Sequence, residues 1–362
     1  MSVDKIERVV VRGTNWVGDS VMTVPALRAL RGLLPDAKIT LALRPSAKGI
    51  FSEVDFIDDL LIYDRRNAFS VVSQVREWRR RQFDLAVLFQ NAFEAALIPF
   101  LAGVPVRIGY ATESRQALLT HPLPLPDWRS SKHEVFYYLY LITALEQLLS
   151  GTSTVCETDP DISLSISESR KREAAELLRS YGVTDRQSVV AICPGSINSR
   201  AKRWPAQSYA ALADRLLEDQ RQVVLIGSRD EIDVTNEVTK RMRHQPVVLT
   251  GKTTLDQITA VLGMVDLVVT NDTGPAHIAA ALGSPTIVIF GPTNPLTTRP
   301  FSFKAEILRH PPDCAPCMLR DCPIDHRCMT AISVDEVFEH SQARLKRASF
   351  AKTVRSVCDS VA

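Results

Sequence analysis

The chain has 362 residues, 45% of them hydrophobic and 23% charged, with 43 lysines and arginines against 41 aspartates and glutamates. That length suits about two domains, and a formal charge of +2 leaves none of the basic footprint of a nucleic-acid binder. Ordinary apolar content without low-complexity stretches excludes disorder. The longest uncharged apolar run, residues 95–106, carries Pro99 and Pro105 and is well short of the roughly 20 residues that cross a bilayer. Residues 1–8 are charged where a signal peptide needs an apolar stretch, so a cytoplasmic protein is expected.

Taken in chain order, residues 8–12 read as a short buried strand and 13–18 as a glycine-containing turn. Residues 19–34 predict a helix, with Val21, Val24, Leu27, Leu30 and Leu34 at spacings of three and four. Strand patterns follow at 38–43, 59–63, 84–89 and 106–109, with helical stretches between them. A polar segment, 151–161, reads as a link. The rhythm then restarts, with strands at 188–193, 222–226, 246–249, 266–270 and 285–290. Helices are predicted near 205–219, 230–243, 254–263 and 274–282, and residues 334–361 read as mostly helical. Strands alternating with helices predict parallel sheets. The expectation is two doubly wound α/β halves facing across a cleft, with ligands at the carboxyl ends of the strands.

The turns after those strands carry the chemistry. Gly13-Thr-Asn-Trp-Val-Gly18-Asp19 has the glycine spacing of a Walker loop, but Asp19 stands where the lysine belongs, and a carboxylate would repel phosphates. Asp19 reads either as a helix cap or as a general base at a strand–helix junction. The two glycines, which allow close backbone approach, favour the base. In the second half, Ser196 and three bases, Arg200, Lys202 and Arg203, follow a strand. They read as an anion site or as a solvated basic loop. Glu231 or Asp230, after the next strand, suits a ribose contact or a cap. The strongest turn is Asn271-Asp-Thr-Gly-Pro-Ala-His277. There Asp272 and Thr273 end a strand, and Gly274 and Pro275 open a helix whose bare N–H groups suit a diphosphate. His277 alone would read as a packed core residue; these neighbours favour a ligand.

The motifs Arg12-Gly-Thr-Asn-Trp-Val-Gly-Asp-Ser20, Pro25-Ala-Leu-Arg28, Lys202-Arg-Trp-Pro205, Asn271-Asp-Thr-Gly-Pro-Ala-His277 and Phe290-Gly-Pro-Thr293 resemble the lipopolysaccharide heptosyltransferases of Gram-negative bacteria, glycosyltransferase family 9. They come in family order over nearly the whole chain, and the opening motif is most similar to members that add the second heptose of the inner core. The resemblance implies a GT-B fold of two Rossmann-like domains. These would be an acceptor-binding domain at 1–160, a nucleotide-sugar domain at 161–345, and a terminal helix at 346–362 packing back on the first. It implies ADP-heptose as donor, inversion at the anomeric carbon, and no required cofactor. The family's catalytic aspartate falls on Asp19, its phosphate-contacting lysine on Lys202, with Ser196 in place of a neighbouring threonine. Its ribose glutamate falls on Glu231, its adenine-pocket position on Thr253, and its Asp-Thr-Gly…His element on Asp272, Thr273, Gly274 and His277.

An anionic lipopolysaccharide-core acceptor implies basic groups in the first half, with Arg65, Arg66, Arg79–Arg81, Arg107, Arg115 and Lys132 as candidates. Its lipid anchor implies peripheral contact with the inner membrane. Of the seven cysteines, Cys314, Cys317, Cys322 and Cys328 cluster near His310 and His326. The first pair has zinc spacing; the wider second pair favours reduced thiols stiffening a loop over a structural zinc. The rival readings are a transferase of the same architecture with another nucleotide sugar or acceptor, and a two-lobed solute-binding protein.

Overall fold

The first strand, β1 (Arg8–Arg12), holds three consecutive valines, all fully buried. A β-branched run without polar alternation belongs to a strand covered on both faces, as in parallel sheets. The computed structural model describes residues 6–63, 68–184 and 186–359 and divides into two compact units, Met1–Ser163 and Leu164–Ala362.

In the first unit β1 is joined by β2 (Lys38–Leu43), β3 (Asp59–Ile62), β4 (Leu85–Leu88), β5 (Val106–Tyr110) and β6 (His121–Leu123). Every pairing is parallel, in the order β3-β2-β1-β4-β5-β6. The second unit has β7 (Val189–Cys193), β8 (Gln222–Leu225), β9 (Val247–Val248), β10 (Leu267–Asn271), β11 (Thr286–Ile289) and β12 (Ala305–Leu308). Its order, β12-β11-β10-β7-β8-β9, is again parallel throughout. Counted from its own first strand, the second sheet repeats the first. Each therefore has a switch point, between β1 and β4 or between β7 and β10, where loops leave toward opposite faces and open a crevice at the strand ends.

Aromatic anchors fix the cores. In the first unit Trp78 meets Phe83 edge-on at 5.7 Å among Val10, Leu88 and Ile98. In the second, Trp204 meets Tyr209 at 5.0 Å among Ile192, Leu225 and Val269.

The single helix expected over 19–34 is two, Val17–Met22 and Val24–Leu33. Pro25 supplies no N–H to a continuing ladder, and the Thr23 hydroxyl takes the Ser20 carbonyl at 2.7 Å. The helix expected over 230–243 is shorter, Ile232–Thr239: a 3₁₀ turn, Arg229–Glu231, precedes it, and the buried Asp214 carboxylate holds the N–H groups of Arg243 and His244 beyond it. Residues 346–359 continue the helix Val334–Asp359; side chains from residue 348 on, and hence what they pack against, lie outside the described residues. Among the described residues no helix is long and apolar enough to cross a membrane.

The polar stretch 151–161 is fastened down. Glu146, near the end of the helix Glu134–Ser150, accepts from Thr152 Oγ1 and Thr154 N, both at 3.0 Å, and from Val155 N at 2.9 Å. Burial pushes this carboxyl's pKa up, but those hydrogen bonds outweigh it and hold it below the ordinary glutamate value. A lowered folded pKa gives stability that is present above the unfolded value and lost as pH falls through the folded one. Glu146→Gln is therefore expected to flatten the acid limb of a melting-temperature profile below about pH 4.5. A variant with the wild-type acid limb would remove Glu146 as its source.

Candidate active site

The turn after β1 lies at the first switch point. Gly13 N–H bonds Ala42 O at 2.9 Å, and a side chain on Gly13 would press on Leu41 and Ala42 O, within 3.2 and 3.4 Å. Thr14 Oγ1 and Ser20 Oγ share a hydrogen bond of 3.0 Å, and Ser20 Oγ donates to Trp16 O at 2.9 Å. The N-cap of the helix Val17–Met22 is Trp16, so Asp19 falls at its third position. There a negative charge suits the helix dipole without being the cap. Asp19 is half-buried. Burial first, and the charge of Asp19 second, push the pKa of Tyr138 well up. Tyr138 lies on the helix Glu134–Ser150, and nothing in the sequence ties it to the turn.

The two ends of the loop after β7 meet the end of β10 at the second switch point, through a residue that sequence reasoning passed over. Asn271, the last residue of β10, is fully buried. Its Nδ2 donates to Pro194 O at 2.9 Å and Gly195 O at 3.0 Å. Its Oδ1 accepts from Trp204 N at 3.0 Å and Tyr209 Oη at 2.8 Å. One amide thus joins both ends of the loop after β7, and the helix Ala206–Glu218 that follows it, to β10.

Next to it, Asp272 is 4% exposed and accepts from Lys202 Nζ at 2.7 Å and from Thr293 Oγ1 at 2.7 Å. Lys202 Nζ also reaches Asp272 O at 3.2 Å, so the base is ion-paired rather than solvated. His277 Nε2 lies 4.0 Å from Asp272 Oδ1. Thr273 caps the helix Gly274–Ala281 through its backbone only, making no side-chain cap bond. The Gly274 N–H therefore faces outward with the positive end of the dipole. Thr293, in the Gly-Pro-Thr turn after β11, was legible as part of a motif but not as a partner of Asp272.

Ser196 is buried, and its carbonyl accepts from Arg203 Nε at 3.1 Å and Nη2 at 2.8 Å. Asp230 is exposed, whereas Glu231 is buried and packs against Gly195 at the end of β7. A Cβ on Gly195 would stand 2.1 Å from Glu231 Oε1, so a side chain there would push Glu231 aside. Glu231 also serves as a cap, since its Oε2 accepts from Ser228 N at 2.8 Å and Oγ at 2.9 Å. Thr253 Oγ1 donates to Leu249 O at 3.5 Å.

The family model for glycosyltransferase family 9 (heptosyltransferase) matches residues 71–327. The chain belongs to this family. It is 29% identical over 315 residues to lipopolysaccharide heptosyltransferase 2 of Escherichia coli K12, covering 83% of this chain and 88% of that one. It is also 29% identical over 315 residues to lipooligosaccharide heptosyltransferase 2 of Haemophilus influenzae, with the same coverage. The solved structure of E. coli ADP-heptose lipopolysaccharide heptosyltransferase II matches with a TM-score of 0.80 at 26% identity, over 95% of this chain and 100% of that one. The protein is a glycosyltransferase, and its two doubly wound units make the fold GT-B.

Within this family 9 enzyme the basic groups expected to face an acceptor are largely spent on the protein. Arg115 is fully buried and donates to Tyr110 O at 2.8 Å, Asn91 Oδ1 at 3.1 Å and Gln90 O, bracing the turn after β4. Arg107 donates to Leu118 O at 2.7 Å and to Val104 O. Arg80 and Arg81 pair with Glu77, at 2.8 and 2.7 Å. Arg79 donates to Leu101 O at 2.6 Å, and Lys132 lies 5.3 Å from the centre of the Trp128 ring. Arg65 and Arg66 lie outside the described residues.

The cysteine loop is a buttress. Cys314, Cys317, Cys322 and Cys328 are all free thiols. Burial first, then the neighbouring Cys317, Cys322 and Cys314, pushes the Cys328 thiol up to about 11. Among the described residues no group of three or more His, Cys, Asp or Glu side chains is placed to hold a metal ion. The two histidines are otherwise engaged: His310 Nε2 meets Glu336 at 2.9 Å, and His326 Nε2 meets Ala201 O at 2.6 Å. The loop grips the chain just before Lys202. Arg320 O accepts from Ala201 N at 2.9 Å and from Ser199 Oγ at 3.2 Å, and Asp321 accepts from Arg200 Nε at 2.6 Å.

Proposed function

We propose that the protein transfers L-glycero-D-manno-heptose from ADP-heptose to the first heptose of the lipopolysaccharide inner core, with inversion. The observation that carries this is chemical complementarity at the two switch points. One offers a half-buried carboxylate, Asp19, at a glycine turn. The other offers a lysine and an uncapped helix N-terminus, Lys202 and Gly274. The names of the E. coli and H. influenzae relatives support the choice of sugar and acceptor.

Inversion takes one displacement. Asp19 accepts the proton of the acceptor hydroxyl as its oxygen attacks the anomeric carbon, and ADP departs from the opposite face. Lys202 and the Gly274 N–H meet the charge that develops on the diphosphate. Asp272 and Thr293 hold the lysine, His277 and Thr273 complete the same rim, and Ser196 flanks it. Glu231 takes the ribose hydroxyls and Thr253 lies toward the adenine. The unit Met1–Ser163 then binds the acceptor and Leu164–Ala362 the donor. The step needs no metal or cofactor, and the enzyme works in the cytoplasm at the inner membrane face, where its lipid-anchored acceptor is held.

Release of ADP from ADP-heptose, measured with core acceptors that carry no heptose or one, tests the reading. Turnover is expected only with the second; equal rates with both, or release from another nucleotide sugar instead, would replace it. Lys202→Ala is expected to lower kcat/KM for the donor about a hundredfold, the scale of losing one electrostatic contact to a developing anion. Unchanged donor kinetics in that variant would move the phosphate site elsewhere.

A further inference from the structure

Trp16 and Phe93 leave 53% and 45% of their surfaces open to water. A single exposed apolar residue is ordinary on a protein surface; these two differ in where the fold places them. β1 and β4 pair in parallel at the first switch point, and the N–H of Phe89, the residue after β4, bonds the carbonyl of Arg12, the last residue of β1, at 3.1 Å. Each ring is carried four residues beyond one of these joined residues. Trp16 is the N-cap of the helix Val17–Met22 that follows β1, and Phe93 opens the helix Phe93–Ala102 that follows β4. Loops at a switch point leave toward opposite faces of the sheet, so the two residues belong to the two walls of one crevice.

Both mounts are fastened. Trp16 O accepts from Ser20 N and from Ser20 Oγ, each at 2.9 Å. The turn that leads to Phe93 is braced by Arg115, through Gln90 O and Asn91 Oδ1, and Asn91 Nδ2 donates to Tyr137 Oη at 2.9 Å. Among the described residues neither ring stacks on another ring or lies under a cation, and the indole Nε1 donates to nothing. Asp19 is the third residue of the helix that Trp16 caps. Positions three apart at a helix N-terminus are neighbours on one face, so the indole is carried on the same side of the turn as the carboxylate.

We propose that Trp16 and Phe93 form an aromatic platform for the pyranose ring of the acceptor, packing against its C–H face while its hydroxyl meets Asp19. The inference rests on the proposed function, with a sugar acceptor and Asp19 as the base. A pyranose carries hydroxyls around its rim and C–H bonds on its faces. The negative face of an aromatic ring takes C–H groups, and the free indole N–H suits a rim hydroxyl. Such a contact sets the plane of the sugar and therefore the direction in which the attacking oxygen points.

The test is steady-state kinetics of Trp16→Ala, Trp16→Phe and Phe93→Ala with a heptose-terminated core oligosaccharide, varying acceptor and donor separately. Each alanine variant is expected to raise the acceptor KM about tenfold and to leave the donor KM unchanged. Trp16→Phe keeps a ring and should recover most of the loss; it also serves if Trp16→Ala does not fold. Indole emission gives a second reading. Adding the acceptor alone should change the emission of the wild type, and that change should be lost in Trp16→Phe, whose other tryptophans are intact. An acceptor KM within about twofold of wild type in both alanine variants, or a donor KM that rises as much as the acceptor KM, would overturn the platform and leave the proposed function standing. A wild type that transfers to no heptose-terminated acceptor would instead remove that function, and the platform with it.

Discussion

Asp19→Asn is expected to lower kcat by about three orders of magnitude, the scale of general-base catalysis, with ADP affinity unchanged. The substitution keeps the size of the side chain and removes only its charge and basicity. The turn that presents it is closed by other atoms, the Thr14–Ser20 and Ser20–Trp16 hydrogen bonds, so the variant should fold as the wild type does. The turns of the second unit are held by their own hydrogen bonds, which is why nucleotide binding should survive. A helix-cap role predicts the reverse pattern: a loss of about 0.3–1 kcal/mol in stability and normal turnover. Single-turnover ADP release and calorimetric ADP binding, measured together on the variant, separate the two.

The second large effect belongs to Asn271→Ala. Truncation leaves four buried groups without their partner: Pro194 O, Gly195 O, Trp204 N and Tyr209 Oη. Each unsatisfied buried group costs about 1–3 kcal/mol. Since such losses overlap, a total of about 3–4 kcal/mol is expected, read as a melting transition lowered by about 10 °C. Donor KM should rise as well, because the same amide spaces the turns that carry Ser196, Lys202 and Asp272. Asn271→Asp is the informative companion, since it retains both acceptances but cannot donate to the two carbonyls. If Asn271→Ala melts like the wild type, the amide is not the joint described above.

Much of this was legible in the sequence because it is local. Lys38–Leu43 reads as a strand and is one, and Asp272, Thr273 and Gly274 announce a strand end followed by a bare helix N-terminus. What stayed hidden is what depends on distant partners. The spacing of Val21, Val24 and Leu27 runs smoothly through the break at Thr23, so periodicity alone reports one helix where there are two. β6 and β12 are short edge strands without a fully buried face, and they lack the apolar run that marks the others. Arg12 reads as a polar strand end, yet it is buried; Arg115 reads as an accessible base, yet backbone carbonyls from two turns enclose it. The Lys202–Asp272 pair spans 70 positions, and no spacing rule reaches that far.

The grip of the cysteine loop on Ser199, Arg200 and Ala201 makes the posture of Lys202 depend on a loop more than 100 positions further along the chain. Bulky thiol reagents at Cys317 or Cys322 would register as weakened nucleotide-sugar use, and an assay that watched only the transferred sugar would mistake a damaged prop for a damaged catalyst.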